Sequence, residues 1–274
     1  MGEQQEVIAE LTAAGVLAGI RWAYESATRR SLETFSEADG HDSAWLGHTR
    51  FTLFRDRLDR VFACQRYAVI AADGALDLDV LHAELSQLDL VTMPCIRPGL
   101  VRRADLRGSV GWAYRGRRFL LASAEFGRLD TLPWLEKSPT KQLVAMQRDP
   151  DKRQPSLFEY LLPDEMPDGA PAEELGAYVD PALLAPDREL RPATYVVAHT
   201  LDAPTGQVEL IFGRPRLNLG GGDAWYWRQD LLTVELTGAR RQPGTTREAG
   251  GPSGVPDAPV RLRRIEGGRR DAAN

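Results

Sequence analysis

Arginine is the residue type in this chain most able to do chemistry, and where it gathers beside aromatic rings the chemistry would be anion recognition. Arg102, Arg103, Arg107, Arg115, Arg117 and Arg118 share one short stretch with Trp112, Tyr114 and Phe119. Guanidinium groups give directed donors to phosphate oxygens, and flat rings can stack on bases, so the combination reads as a nucleic-acid contact surface. Its expected members are Arg102, Arg103, Arg115, Arg117, Arg118, Trp112 and Tyr114, with DNA or RNA as the partner. The competing reading has the same arginines paired with acidic segments elsewhere in the chain, and part of the aromatic set in the core.

Catalytic signatures are weaker. The four histidines are His41, His48, His82 and His199. His41-Asp42 is the kind of pair that ligates metal in phosphohydrolases, but no histidine precedes it to complete such a site, so no metal ligand set is expected. His199 lies between apolar neighbours and reads as a half-buried strand residue. Cys64 and Cys95 have neither metal-ligand spacing nor a nucleophile signature and read as buried thiols. No Gly-x-Ser-x-Gly elbow is present, and Gly220-Gly221-Gly222 lacks the Lys-Ser/Thr of a phosphate loop, so no cofactor is expected.

One short peptide carries a sharper signal. Gln154-Pro155-Ser156-Leu157-Phe158 places a glutamine three residues before a Leu-Phe pair. The pentapeptide resembles the segment by which bacterial DNA polymerases and repair proteins dock on the β sliding clamp, with Pro155 standing where leucine is commoner. The resemblance covers these five residues only. It implies that Leu157 and Phe158 fill an apolar pocket while Gln154 hydrogen-bonds beside it, with the bacterial clamp as partner.

The elements that must position these residues follow from periodicity and charge. Apolar positions from Glu3 to about Phe35 recur at three- and four-residue steps, as in one long amphipathic helix, with Gly15 and Gly19 spaced for close packing against another helix. A second helix is expected over about Trp45 to Ile70 with Phe51, Phe54, Leu58, Val61 and Phe62 on one face. Arg55 with Asp59 and Asp56 with Arg60, at i,i+4, would neutralise its other face at the surface. A third helix is expected near Asp77 to Gln87. The basic stretch then reads as a β-hairpin turning at Arg115-Gly116, with glycine at the positive φ. Ser138-Pro139 opens a short helix, and Thr194–Leu201 and Gln207–Phe212 read as two strands joined by a turn.

Charge alternates in blocks that the overall net charge of −5 conceals: residues 1–90 carry net −7, 97–141 net +6, 164–190 net −7 and 239–274 net +4. The expected organisation is therefore α+β: a helical N-terminal unit (1–90), a basic β-containing middle (91–162), an acidic Pro-rich linker (163–192), a small C-terminal β unit packing on the middle (193–238) and a disordered basic C-terminal tail (239–274). No apolar run is long enough for a membrane span, and no leader pattern opens the chain, so the expected compartment is the cytoplasm. Oligomeric state is not legible. Together these features point to a non-enzymatic accessory or regulatory protein in DNA metabolism. The alternatives are an enzyme on a nucleotide or phosphate-bearing substrate, with His199 or Asp223 as acid or base, and a protein-binding partner of the antitoxin type.

Overall fold

The computed structural model describes residues 2–68, 81–147, 193–219 and 221–233. The linker 163–192, the tail 239–274, the docking peptide Gln154–Phe158 and the start of the third expected helix lie outside them.

The chain is α+β, with helices at its N-terminus and a six-stranded mixed sheet after them. Helix α1 (Glu3–Ala13) has Glu3 and Glu6 in its first turn, where carboxylates favour the positive end of the helix dipole. Helix α2 (Val16–Glu33) buries Val16, Leu17, Ile20, Ala23, Tyr24 and Ala27, the three- and four-residue spacing of one apolar face. The single long helix expected from periodicity is in fact this pair, bent by 73°. Gly15 between them has φ 73°, a backbone state that costs glycine little and breaks the i→i−4 ladder. Gly19 makes the close approach instead: a Cβ there would lie 2.8 Å from Ile96 Cδ1 and 3.0 Å from Phe62 Cε1. Among the described residues, no single helix is long and apolar enough to cross a membrane.

Helix α3 (Ser43–Val61) is capped by the Asp42 carboxylate, which accepts from the Trp45 amide at 2.7 Å. It ends well before Ile70, where Ala63 and Gln65 adopt positive φ. Of the two thiols expected to be buried, Cys64 is, just beyond this helix, whereas Cys95 is exposed. Helix α4 (Gln87–Thr92) has no counterpart in the periodicity; Ser86 and Asp89 form its capping box. Helix α5 (Pro139–Ala145) starts with proline at its first position, although the Ser138 side chain makes no capping bond.

Strands β1 (Val101–Arg103), β2 (Gly111–Tyr114), β3 (Arg117–Ser123), β4 (Ala193–Leu201), β5 (Val208–Pro215) and β6 (Trp225–Asp230) lie side by side in chain order. The β2–β3 hairpin and the β4–β5 hairpin fall where the alternation places them. In the first, the left-handed turn residue is Arg115 (φ 49°), not Gly116. The β3–β4 contact is parallel, pairing Phe119 with Tyr195 and Leu121 with Val197, so the basic middle and the C-terminal strands share one sheet.

Both faces of the sheet are covered, which suits the unbroken apolar run Phe119-Leu120-Leu121-Ala122 of β3. On one face, Trp112, Phe119, Leu121, Tyr195, Val197 and Phe212 pack with the buried sides of α1, α2 and α3. On the other, Leu120, Val196, Ala198 and Ile211 pack beneath Leu129, Leu132, Trp134 and Val144.

Candidate functional site: an arginine-lined cleft

The end of α3 and the turn after it border an open cleft of about 930 Å³ whose lining includes Arg30, Arg55, Arg57, Arg60 and Arg66. Among the described residues, three carboxylates stand against these five arginines, Asp56, Asp59 and Glu84. The i,i+4 spacing predicts a self-neutralising exposed face on α3, but Arg57, Asp59 and Arg60 are buried. Helix α3 packs on both α2 and the β1–β2 edge, so residues on what the periodicity marks as its polar face are enclosed from the sides.

Asp56 is the hub. Its Oδ2 accepts from Arg57 Nη1 and Arg60 Nε, each at 2.8 Å, and its Oδ1 from Arg66 Nη2 and the Tyr67 hydroxyl, each at 2.6 Å. Burial pushes the Asp56 carboxyl up, but the bonds from Tyr67, Arg60 and Arg66 outweigh it and hold the group below the usual carboxylate range. Arg57 also donates to Ser26 Oγ at 3.0 Å, and Arg60 to the carbonyls of Leu81 and Ala83 at 2.8 and 2.9 Å. Both Arg60 and Arg66 lie over the Tyr67 ring, 4.6 and 4.8 Å from its centroid. Burial, with the Asp56 charge behind it, raises the Tyr67 phenol, which therefore stays a donor.

The back wall joins this cleft to the basic hairpin. Asp59 accepts from Arg103 Nη1 through both oxygens, at 2.7 and 2.8 Å, and from Trp112 Nε1 at 2.9 Å. Burial raises its carboxyl despite those bonds. Arg103 in turn donates to Asp105 at 2.6 Å and stacks over Trp112 at 4.6 Å. Two lining residues, Gln65 (φ 54°) and Glu84 (φ 62°), hold left-handed backbone without being glycine. Such strain costs about 1–3 kcal/mol per residue and gathers at functional sites.

The residues expected to contact nucleic acid are distributed unevenly. Trp112 is fully buried and Tyr114 nearly so, beneath the Arg115 guanidinium at 5.2 Å. Arg117 pairs with Glu6 and Glu10 of α1, each at 2.7 Å, and Arg115 with Glu10 at 3.2 Å, so the acidic first helix neutralises this edge. Arg118 is half-buried on β3 and Arg102 is exposed on β1. The Asp56–Arg60 pair that the i,i+4 spacing predicts is formed, but that spacing does not reveal the cleft; the visible signal is the density of arginine between Arg55 and Arg66.

Compared with known protein families, with curated proteins and with solved structures, the chain matches none. The cleft must be read from its own chemistry. Among the described residues its lining contains no serine, cysteine or histidine, and of the two hydroxyls there, on Thr52 and Tyr67, the second is bonded to Asp56. Asp56 and Tyr67 are each held in the protonation state that serves their mutual bond. Among the described residues, no group of three or more His, Cys, Asp or Glu side chains is placed to hold a metal ion. The arrangement offers fixed cationic donors around an open volume, which suits binding of an anionic group.

Proposed function

We propose that the protein is a non-enzymatic accessory or regulatory protein of DNA metabolism, acting in the cytoplasm, that receives a phosphate-bearing partner in the arginine cleft. The observation carrying this reading is that, among the described residues, arginine exceeds carboxylate around a cleft whose lining has no serine, cysteine or histidine. Arg66, its side chain 70% exposed, and the exposed Arg55 stand ready at the rim, while Asp56 fixes Arg57 and Arg60 behind them. Nucleic acid is favoured over a lone phosphate because the exposed Arg102 on β1 adds positive charge outside the cleft. The link to DNA metabolism rests on the clamp-like peptide Gln154 to Phe158.

The test is the binding of the full chain to single-stranded DNA and RNA oligonucleotides, followed by fluorescence anisotropy across a range of salt. Affinity should fall steeply with salt, and Arg55→Ala with Arg66→Ala should flatten that dependence by about 1.4 units, about 0.7 for each single-strand phosphate no longer neutralised. Binding of neither polymer, or binding blind to salt and to these changes, overturns the reading. Turnover of a nucleotide in the same samples would favour an enzyme instead. A peptide spanning Asp151 to Pro163 should bind purified bacterial clamp with a Kd near ~1 μM, about −8 kcal/mol. A silent peptide removes the clamp from the account.

A further inference from the structure

A second cluster lies inside the molecule and is independent of the cleft. Arg50, on α3, is 5% exposed, and its Nε and Nη1 make no hydrogen bond. Other buried arginines meet carboxylates: Arg57 and Arg60 at Asp56, and Arg214 at Glu3. Arg50 has no ion pair among the described residues; its neighbour is the neutral Tyr24, whose ring centroid lies 5.9 Å from the guanidinium and whose side chain is a hydrogen-bonding contact that carries no counter-charge. A guanidinium taken from water without a counter-charge costs several kcal/mol, so an occupant that restores the charge balance is strongly favoured.

The groups around it supply no counter-charge. His199, on β4 and 1% exposed rather than half-buried, packs against Tyr24 at 5.9 Å and Phe54 at 5.3 Å, and neither of its ring nitrogens is bonded. Thr28 Oγ1, one helical turn from Tyr24 on α2, is buried and makes no hydrogen bond of good geometry. Burial raises the Tyr24 phenol, against the opposing pull of Arg50 and the Thr28 hydroxyl, so Tyr24 stays neutral. Its hydroxyl donates to the Thr200 carbonyl. Glu209, the carboxylate whose charge is felt at Tyr24, is held by Thr200 Oγ1 and the Gly127 amide, each at 3.0 Å, and is not among the groups that act on Arg50. Burial and the positive charges of Arg50 and Lys141 keep His199 neutral, so one ring nitrogen carries a proton with nothing to receive it.

We infer that Arg50, His199 and Thr28 form an interior binding site for one small monoanion of the carboxylate type. The two unbonded Arg50 nitrogens, Nε and Nη1, with one His199 N–H and the Thr28 hydroxyl supply four donor atoms for the roughly four lone-pair positions of a carboxylate.

The test uses the full chain in buffer free of chloride and carboxylates, with ionic strength held by a bulky sulfonate. Formate is titrated while the ring 15N resonances of His199, assigned with His199→Gln, and the Tm are followed. A saturable shift of the His199 resonances, with a Tm that climbs with formate concentration and both effects abolished in Arg50→Met, supports the site. Should Arg50→Met not fold, Thr28→Val serves: formate should bind about tenfold more weakly, the worth of one hydrogen bond to a charged group. Resonances and Tm indifferent to formate overturn the inference, since water alone then satisfies these groups. A response to chloride with none to formate overturns the carboxylate class.

Discussion

At the scale of single residues, what separates one charged group from another here is whether a partner reaches it. Arg103 Nη1 donates to both oxygens of the largely enclosed Asp59 while Asp105 holds its Nε, so Asp59→Ala removes one of two carboxylates and the acceptor of the buried Trp112 N–H, and should cost about 1.5–3 kcal/mol, read from urea unfolding. His199 has no bonded partner, and burial with the charges of Arg50 and Lys141 lowers its pKa well below 6.5. Its sign is therefore that of a group protonated more readily in the unfolded chain. Its contribution to stability is present above the unfolded pKa of about 6.5 and is lost as pH falls toward the folded value, at about 1.4 kcal/mol per pH unit. Urea unfolding of wild type and His199→Gln between neutral and mildly acid pH checks this: the two should diverge below about pH 6.5, and parallel curves would contradict it. Cys64, by contrast, is pushed by burial up to about 11 and should react slowly with thiol reagents in the folded protein.

At the scale of elements, two glycines separate soft contacts from hard ones. A Cβ at Gly19 meets side-chain atoms only, the flexible end of Ile96 and the edge of the buried Phe62 ring, and alanine gains about 1 kcal/mol of helix propensity that offsets their adjustment. Gly19→Ala should therefore alter stability little. A Cβ at Gly213 on β5 would stand 2.6 Å from the Trp227 carbonyl oxygen and 3.1 Å from Arg228 Cα, both main-chain atoms of β6. Gly213→Ala must push the strands apart and should cost about 3 kcal/mol, near the upper end for overpacking; equal Tm values for the two variants would contradict this account.

At the scale of the whole molecule, Glu3 ties the first helix to the far half of the sheet. Its carboxylate accepts from Tyr195 at 3.0 Å, Trp227 at 2.8 Å and Arg214, on β4, β6 and β5 respectively. Glu3→Ala should cost about 3–5 kcal/mol, because Arg214 is buried and would lose that carboxylate. A urea midpoint equal to that of wild type would show that α1 is held by Val7, Leu11 and the Arg117 pairs with Glu6 and Glu10, without Glu3.

Local regularities are open to reading from the residues. Period 3.6 marks the apolar face of α2, period 2 with turn residues marks both hairpins, and proline at position 139 marks the start of α5. The fold class follows from the order of those elements. The pairing of hairpin arginines with acidic helices is legible only as one of two alternatives, because block charges say which segments attract and not which side chains meet. Tertiary structure alone decided the rest. The i,i+4 spacing of Asp56 and Arg60 is the same on an exposed helix face and on an enclosed one, and only packing against α2 and the β1–β2 edge turned that face into a cleft wall. The parallel β3–β4 pairing joins segments far apart in the chain, and it is this long-range contact that carries His199 to α2 and α3, beside a guanidinium without a counter-ion.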